Sequence, residues 1–337
     1  MTQLPASMRA SVLVEQGVID LRERPVPEPA ADDVLIAVAA VGVCGSDVHY
    51  YRHGRIGDFV VDAPIVLGHE ASGRIVATGS AVNPERIGER VAIEPQIPCR
   101  RCAHCKAGRY NLCPEMRFYA TPPIDGAFCD YVTIPADFAH PVPDSISDAA
   151  AALLEPLSVG IWACHKASVG AGSRVLITGA GPIGMVAAQA ARAAGATEIL
   201  VSDPVASRRV RAASFGAIAL EPAEVAGVSE VDALLECSGA APAIASGIPA
   251  VRGGGAVVLV GMGASELTLP VSLIQNRELT VTGVFRYANT WPTAIGLVAS
   301  GAVDLDVLVT GTYRLDEVEA ALRSDERPDS MKSIVVP

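Results

Sequence analysis

No apolar run in this chain approaches the ~18 residues that a membrane-spanning helix needs. The N-terminus, Met1-Thr2-Gln3-Leu4-Pro5-Ala6-Ser7-Met8-Arg9, also lacks the basic start and apolar stretch of a secretory signal. Both absences point to a cytoplasmic protein with no membrane partner. Aromatic residues are scarce, at 4%, while Ala and Val dominate a composition that is 50% hydrophobic. That texture disfavours an aromatic-rich sandwich and suits parallel strands covered by alanine-rich helices, an α/β protein. Positive charge is in deficit: 26 Lys and Arg face 37 Asp and Glu, a formal net charge of -11. This argues against a nucleic-acid partner and leaves a small neutral or cationic ligand open. There is no internal repeat and no low-complexity tract. With 337 residues, the chain exceeds the usual size of one hydrophobic core, so two domains are expected.

Residues 10 to 145 read as short β segments broken by Gly, Pro and Asp clusters, among them Val34-Leu35-Ile36-Ala37-Val38, Ala71-Ser72-Gly73-Arg74-Ile75-Val76 and Arg90-Val91-Ala92-Ile93. A mostly β, barrel-like domain is expected there. After Pro141-Val142-Pro143-Asp144-Ser145 the pattern changes: Ser147 is placed to cap a helix, and from Arg174 onward strands alternate with helical stretches, as in βαβ units. Five strands of a doubly wound sheet are visible. The segment Phe215 to Val231 is short for the β-α passage that would supply a sixth. The last ~50 residues return to mixed helix and strand and are expected to rejoin the first domain, since chain termini commonly lie close together. The expected division is 1–157 with 285–337 for the first domain and 158–284 for the second.

Cys44, His69-Glu70 and Glu155 stand in glycine- or proline-marked settings on separate segments. Singly they read as a buried thiol, a core histidine and surface acids. Together a thiolate, an imidazole and a carboxylate make a three-ligand site for a borderline-soft divalent ion such as zinc, with a fourth position left for water or substrate. In this reading Cys44, His69 and Glu70 are the ligands, and Glu155 holds the water or enters the shell. Such an ion acts as a Lewis acid on an alcohol, easing its deprotonation near neutral pH and the release of hydride to nicotinamide. Ser46 and His49 follow Cys44 closely enough to carry the departing proton to solvent. Four more cysteines, Cys99, Cys102, Cys105 and Cys113, form Cys-x-x-Cys-x-x-Cys-x7-Cys, the pattern of a closed structural zinc site. A ferredoxin run shares the two Cys-x-x-Cys steps and the Cys-Pro, but its last gap is three residues.

The run Val175-Leu176-Ile177-Thr178-Gly179-Ala180-Gly181-Pro182-Ile183-Gly184 places Gly-x-Gly-x-x-Gly between an apolar strand and an alanine-rich helix. Gly179 permits the tight turn, Gly181 lets backbone approach a pyrophosphate, and Gly184 lets helix and strand pack closely. Pro182 and Ile183 open the helix whose N-terminal amides face the phosphates. Asp203 follows about 20 residues on, where a carboxylate accepts the ribose hydroxyls of NAD and repels a 2'-phosphate. Arg208 and Arg209 lie nearby; Arg208 could pack beside adenine, and either could meet a 2'-phosphate.

From about Met8 to Pro337 the chain resembles the zinc-containing medium-chain dehydrogenases, specifically their polyol branch. The segments that carry the resemblance include Val43-Cys44-Gly45-Ser46-Asp47-Val48-His49-Tyr50, Leu67-Gly68-His69-Glu70, Glu155-Pro156-Leu157-Ser158 and Val284-Phe285-Arg286-Tyr287. The resemblance implies a GroES-like catalytic domain, a Rossmann domain, a cleft between them for NAD and zinc, and a homo-oligomer, tetramer in preference to dimer. It places substrate contacts at Ser46, Tyr50, Ile56, Phe118, Thr121, Glu155, Arg286 and Tyr287. It also sets Glu155 where simple alcohol dehydrogenases have a cysteine ligand. The expected activity is NAD-dependent oxidation of a secondary hydroxyl of a sugar alcohol of sorbitol or xylitol type. The alternatives are a threonine or simple secondary-alcohol dehydrogenase and, from another class, a non-catalytic zinc- and dinucleotide-binding protein.

Overall fold

A computed structural model describes residues 4–327 and 329–337. The chain divides into two compact units, one running to Glu155 and resuming at Leu305, the other spanning Pro156–Asp304. The first is the mostly β unit. Its main sheet runs in the order Ala139–Pro141, Arg90–Ile93, Glu70–Thr78, Asp33–Gly42, Lys332–Val336 and Val309–Arg314, with Tyr131–Pro135 also pairing with Asp33–Gly42. A smaller sheet joins Val18–Pro25, Ser7–Glu15 and Ile65–Val66. Alternating apolar side chains such as Val34, Ile36, Ile75, Val91 and Ile93 meet Leu13, Phe128 and Ile134 in one core cluster. Burial on that scale, at about 25 cal/mol per Å² of apolar surface, holds the sheets together and fixes their register.

Register is what assembles the site. The strand Glu70–Thr78 starts opposite the end of Asp33–Gly42, with Glu70 facing Gly42, and the strand Lys332–Val336 pairs with the same end through Ile334 and Gly42. Gly42 is required by close approach: a Cβ there would lie 2.1 Å from Glu70 Oε2.

The second unit holds a six-stranded sheet in the order Ile218–Leu220, Glu198–Ser202, Arg174–Thr178, Val231–Glu236, Val251–Leu259, Thr280–Gly283. Every neighbouring pair is parallel. This is the 3-2-1-4-5-6 order of a doubly wound dinucleotide fold. The sixth strand, Ile218–Leu220, lies within the stretch that looked too short for it. It is three residues long and is followed by a 3-10 turn, Pro222–Gly227, in place of a full helix. The chain returns to the first unit at Leu305 and not at the expected 285. The intervening helix Trp291–Ala299 belongs to the second unit, and Gln189 ties Asp304 to it through both backbone groups at 2.8 and 3.0 Å. Among the described residues, no helix is long and apolar enough to cross a membrane.

Candidate metal centre and cofactor pocket

Cys44 is the N-cap of the helix Gly45–His53, in extended backbone conformation. Three residues on, Asp47 turns its carboxylate back to the helix start, where Oδ2 accepts from the Cys44 N–H at 3.0 Å. Its Oδ1 accepts from the Gly68 N–H at 3.0 Å and stands 3.6 Å from His69 Nδ1. Asp47 thus fixes the thiol and the imidazole with one wholly buried side chain. Phe118 also packs against His69, with 5.5 Å between ring centroids. Cys44, His69 and Glu70 each bring one donor atom into a set whose members all lie within 4.8 Å of one another. A sulfur, a nitrogen and a carboxylate oxygen at that spacing fit a divalent ion of zinc's preference.

The electrostatics agree with this fit. Burial alone would depress the His69 imidazole, but the charges of Asp47 and Cys44 outweigh it and raise the ring well above its ordinary range. Burial would likewise raise the Asp47 carboxyl, and His69, with the two backbone donors, lowers it. A pocket that pulls a proton onto histidine is rich in negative charge, and a dication relieves it while displacing that proton.

Glu70 meets a residue the sequence did not single out. Lys332, buried like Glu70 itself, donates from Nζ to both Glu70 oxygens and, at 2.9 Å, to the Val43 carbonyl. Burial disfavours the ammonium, but Glu70, with Cys44 and Glu155 adding, raises the Lys332 pKa. Glu155 is buried at the start of the helix Leu154–Lys166 and stays outside the tight three-atom set.

The remaining candidates fall on defined elements of the two units. Ser46, His49 and Tyr50 share the helix that starts at Cys44, with Ser46 half-buried, His49 exposed and Tyr50 buried. Ile56 packs against the core of the unit, and Thr121 lies in the turn that bridges to Ile124. In the second unit Arg286 adopts a left-handed φ of 57° with its guanidinium 4.7 Å above the Phe285 ring, and Tyr287 is wholly buried against Trp291.

The four loop cysteines also converge within 4.8 Å. Cys102 caps the short helix Ala103–Lys106, and sulfur–sulfur distances of 3.5 and 4.0 Å link Cys105 to Cys102 and Cys99. Backbone N–H groups of Cys99, Cys102 and Cys105 point at neighbouring sulfurs at 3.3 to 3.4 Å, the usual solvation of a thiolate shell. The Cys99 thiol is lowered to about 7, first by the Arg101 N–H, while Cys105 is pushed up to about 12, first by burial. Thiols this close cannot all ionise without a cation among them, and four sulfurs close a tetrahedral shell.

In the second unit, a cavity of about 540 Å³ is lined by Gly179, Gly181, Asp203, Arg208, Cys237 and Ser238, among others. The helix Pro182–Ala193 begins at its rim, with Gly181 as N-cap and Pro182 at its first position. Gly184 is needed for contact, because a Cβ there would fall 1.8 Å from the Gly179 carbonyl. Asp203 accepts from the Ala180 and Val205 N–H groups, both at 2.8 Å, and lies 3.9 Å from Arg208. Arg209 is committed elsewhere, to Glu221 at 2.7 Å and to the Asp203 and Pro204 carbonyls. Glu236, also not singled out by the sequence, is wholly buried and accepts from the Ser238 and Gly239 N–H groups at 2.8 and 3.1 Å, which sets the turn that walls the cavity.

Comparison with known proteins matches residues 30–144 to the alcohol dehydrogenase GroES-like domain and 182–300 to the zinc-binding dehydrogenase family. Sorbitol dehydrogenase of Mus musculus is 44% identical over 333 residues, covering 95% of this chain and 93% of the mouse protein. That of Bacillus subtilis strain 168 is 44% identical over 330 residues, covering 95% and 94%. Among solved structures, a candidate zinc-binding dehydrogenase of Sinorhizobium meliloti 1021 bound to NADP superposes with a TM-score of 0.92 at 32% identity, covering 99% and 100%. With the Cys44 centre, the four-cysteine lobe and the dinucleotide fold all in place, this chain belongs to the zinc-containing medium-chain dehydrogenases and is an alcohol or polyol dehydrogenase.

Proposed function

We propose that this chain oxidises a secondary hydroxyl of a sugar alcohol to the ketose, with NAD as hydride acceptor. The observation that carries the reading is the convergence of Cys44, His69 and Glu70 on one point in the first unit. Zinc, when bound there, supplies a Lewis acid for the substrate hydroxyl, and a second zinc in the four-cysteine lobe has a structural task. The chain's own groups do the rest. Asp47, 3.6 Å from His69 Nδ1, orients the imidazole, which would leave Nε2 as the nitrogen to hold the ion. Lys332 offsets the charge of Glu70, so that the thiolate and carboxylate together do not overload the site. Ser46 and His49 pass the hydroxyl proton outward, and the exposure of His49 suits the solvent end of that path. Glu155 would hold the water or hydroxyl beside the ion or enter its shell.

The likeness to sorbitol dehydrogenases supports a polyol over a simple alcohol. A polyol offers further hydroxyls that need fixed partners, and Arg286 with its rigid fork of donors and Tyr287 with its phenol are assigned to them, alongside Tyr50, Ile56, Phe118 and Thr121. Turnover of sorbitol, xylitol, L-iditol, galactitol and D-arabinitol, followed as NADH at 340 nm, tests the assignment. Arg286→Ala should lower kcat/KM for five- and six-carbon polyols at least ~10-fold, the cost of a charge-assisted hydrogen bond, and spare short secondary alcohols. Faster native turnover of 2-propanol than of any polyol would refute it in favour of a simple-alcohol enzyme.

The Sinorhizobium meliloti protein holds NADP, so the scaffold does not itself exclude a 2'-phosphate and the choice of dinucleotide rests on local chemistry. Here a buried carboxylate faces the cavity and Arg209 is pinned to Glu221. Asp203→Ala should weaken NAD binding by about 1–3 kcal/mol and narrow the gap to NADP, as read from dissociation constants. A native preference for NADP would transfer the deciding role to Arg208.

A further inference from the structure

His49 and His53 stand four residues apart on the helix Gly45–His53, a spacing that stacks side chains on one face. Their ring centroids are 4.6 Å apart at a 58° tilt, and both side chains are exposed. Neither imidazole makes a hydrogen bond or ion pair with another described residue. The cations nearest in sequence are engaged elsewhere, Arg52 with Asp325 at 2.6 Å and Arg55 with the Gly57 carbonyl at 2.7 Å. His49 is kept below the ordinary histidine range, first by loss of hydration and then by the adjacent His53, a shift toward the neutral form that binds metals.

We infer that His49 and His53 form a two-imidazole site for a divalent transition ion such as zinc, separate from the Cys44 and Cys99 clusters, with water completing the shell. Imidazole suits zinc and copper, and one helical turn brings two such donors together without reorganising backbone. An ion held there occupies the ring assigned to proton transfer, so zinc in excess should inhibit turnover; that consequence rests on the relay reading, whereas the site does not.

Equilibrium dialysis of the tag-free, zinc-loaded protein against micromolar Zn2+ tests the site directly. The native chain should take up a third equivalent, and His53→Gln should weaken it about 100-fold, the low end of what a second intramolecular contact contributes. The first two equivalents, and turnover at buffered low zinc, should not change, since His53 serves neither cluster. Native protein that saturates at two equivalents, or a His53→Gln variant that keeps the third with native affinity, overturns the site. A third equivalent that His53→Gln abolishes, but that leaves native turnover untouched, upholds the site and removes His49 from the proton path.

Discussion

His69→Ala should reduce the metal content from two zinc to one per chain and lower turnover by at least about 10³-fold, the loss of a Lewis acid worth several kcal/mol. The reasoning is local. His69 supplies the nitrogen of the Cys44–His69–Glu70 set, and without it only the Cys44 thiolate and a Glu70 carboxylate shared with Lys332 remain, too few to retain the ion through dialysis against a chelator. The four-cysteine lobe is built from another loop and should keep its ion, so elemental analysis separates the two centres in one measurement. Dinucleotide binding, measured by fluorescence titration, should persist, because the cavity around Gly179 and Asp203 lies in the other unit. A variant that retained two zinc and native turnover would disprove the catalytic role of this centre, and iron with visible charge-transfer absorption would disprove zinc in the lobe.

Lys332→Met should be the most destabilising single change at the site. It removes the ammonium and leaves the Glu70 carboxylate buried without its cation, a defect that costs about 3–5 kcal/mol. The size of the loss should depend on metal. In chelated protein the full penalty appears in the denaturant midpoint, whereas with zinc present the ion meets the orphaned carboxylate and the loss shrinks. Glu70→Gln in the same chain should restore stability to the chelated protein but not activity. Equal midpoints for native and Lys332→Met protein in chelator would mean that the ion pair does not support the fold.

The parts legible in the sequence are those whose chemistry sits in a short window. Cys44 with its following helix, His69 beside Glu70, the four-cysteine run and the glycine fingerprint each declare themselves by spacing, and the structure brings the first three residues to one point and the four cysteines to another. Asp47 was in plain view yet undistinguished, because an acid at the third position of a helix reads as an ordinary capping residue until Gly68 and His69 are placed against it. Lys332 could not be found locally, since its partner is 262 residues away. Its one signal is a lysine between Met331 and the apolar Ile334-Val335, in a strand whose neighbours are buried. The strand Ile218–Leu220 escaped because three residues carry no periodicity. The return at Leu305 escaped because the Gln189–Asp304 pairing that delays it is tertiary.

That long-range pairing of Glu70 with Lys332 also orders events during synthesis. The thiol, imidazole and carboxylate of the metal centre leave the ribosome early, and the whole of Pro156–Asp304 is made before the strand Lys332–Val336 can join Asp33–Gly42. Until then the acid of Glu70 has no ammonium beside it, and loop closure over such a separation is slow. The second unit is one continuous stretch and waits for nothing downstream. A nascent or refolding chain should therefore gain its nucleotide fold before its metal centre, and an ion captured in the interval would stand in for Lys332 as the first counter-charge of the unfinished sheet.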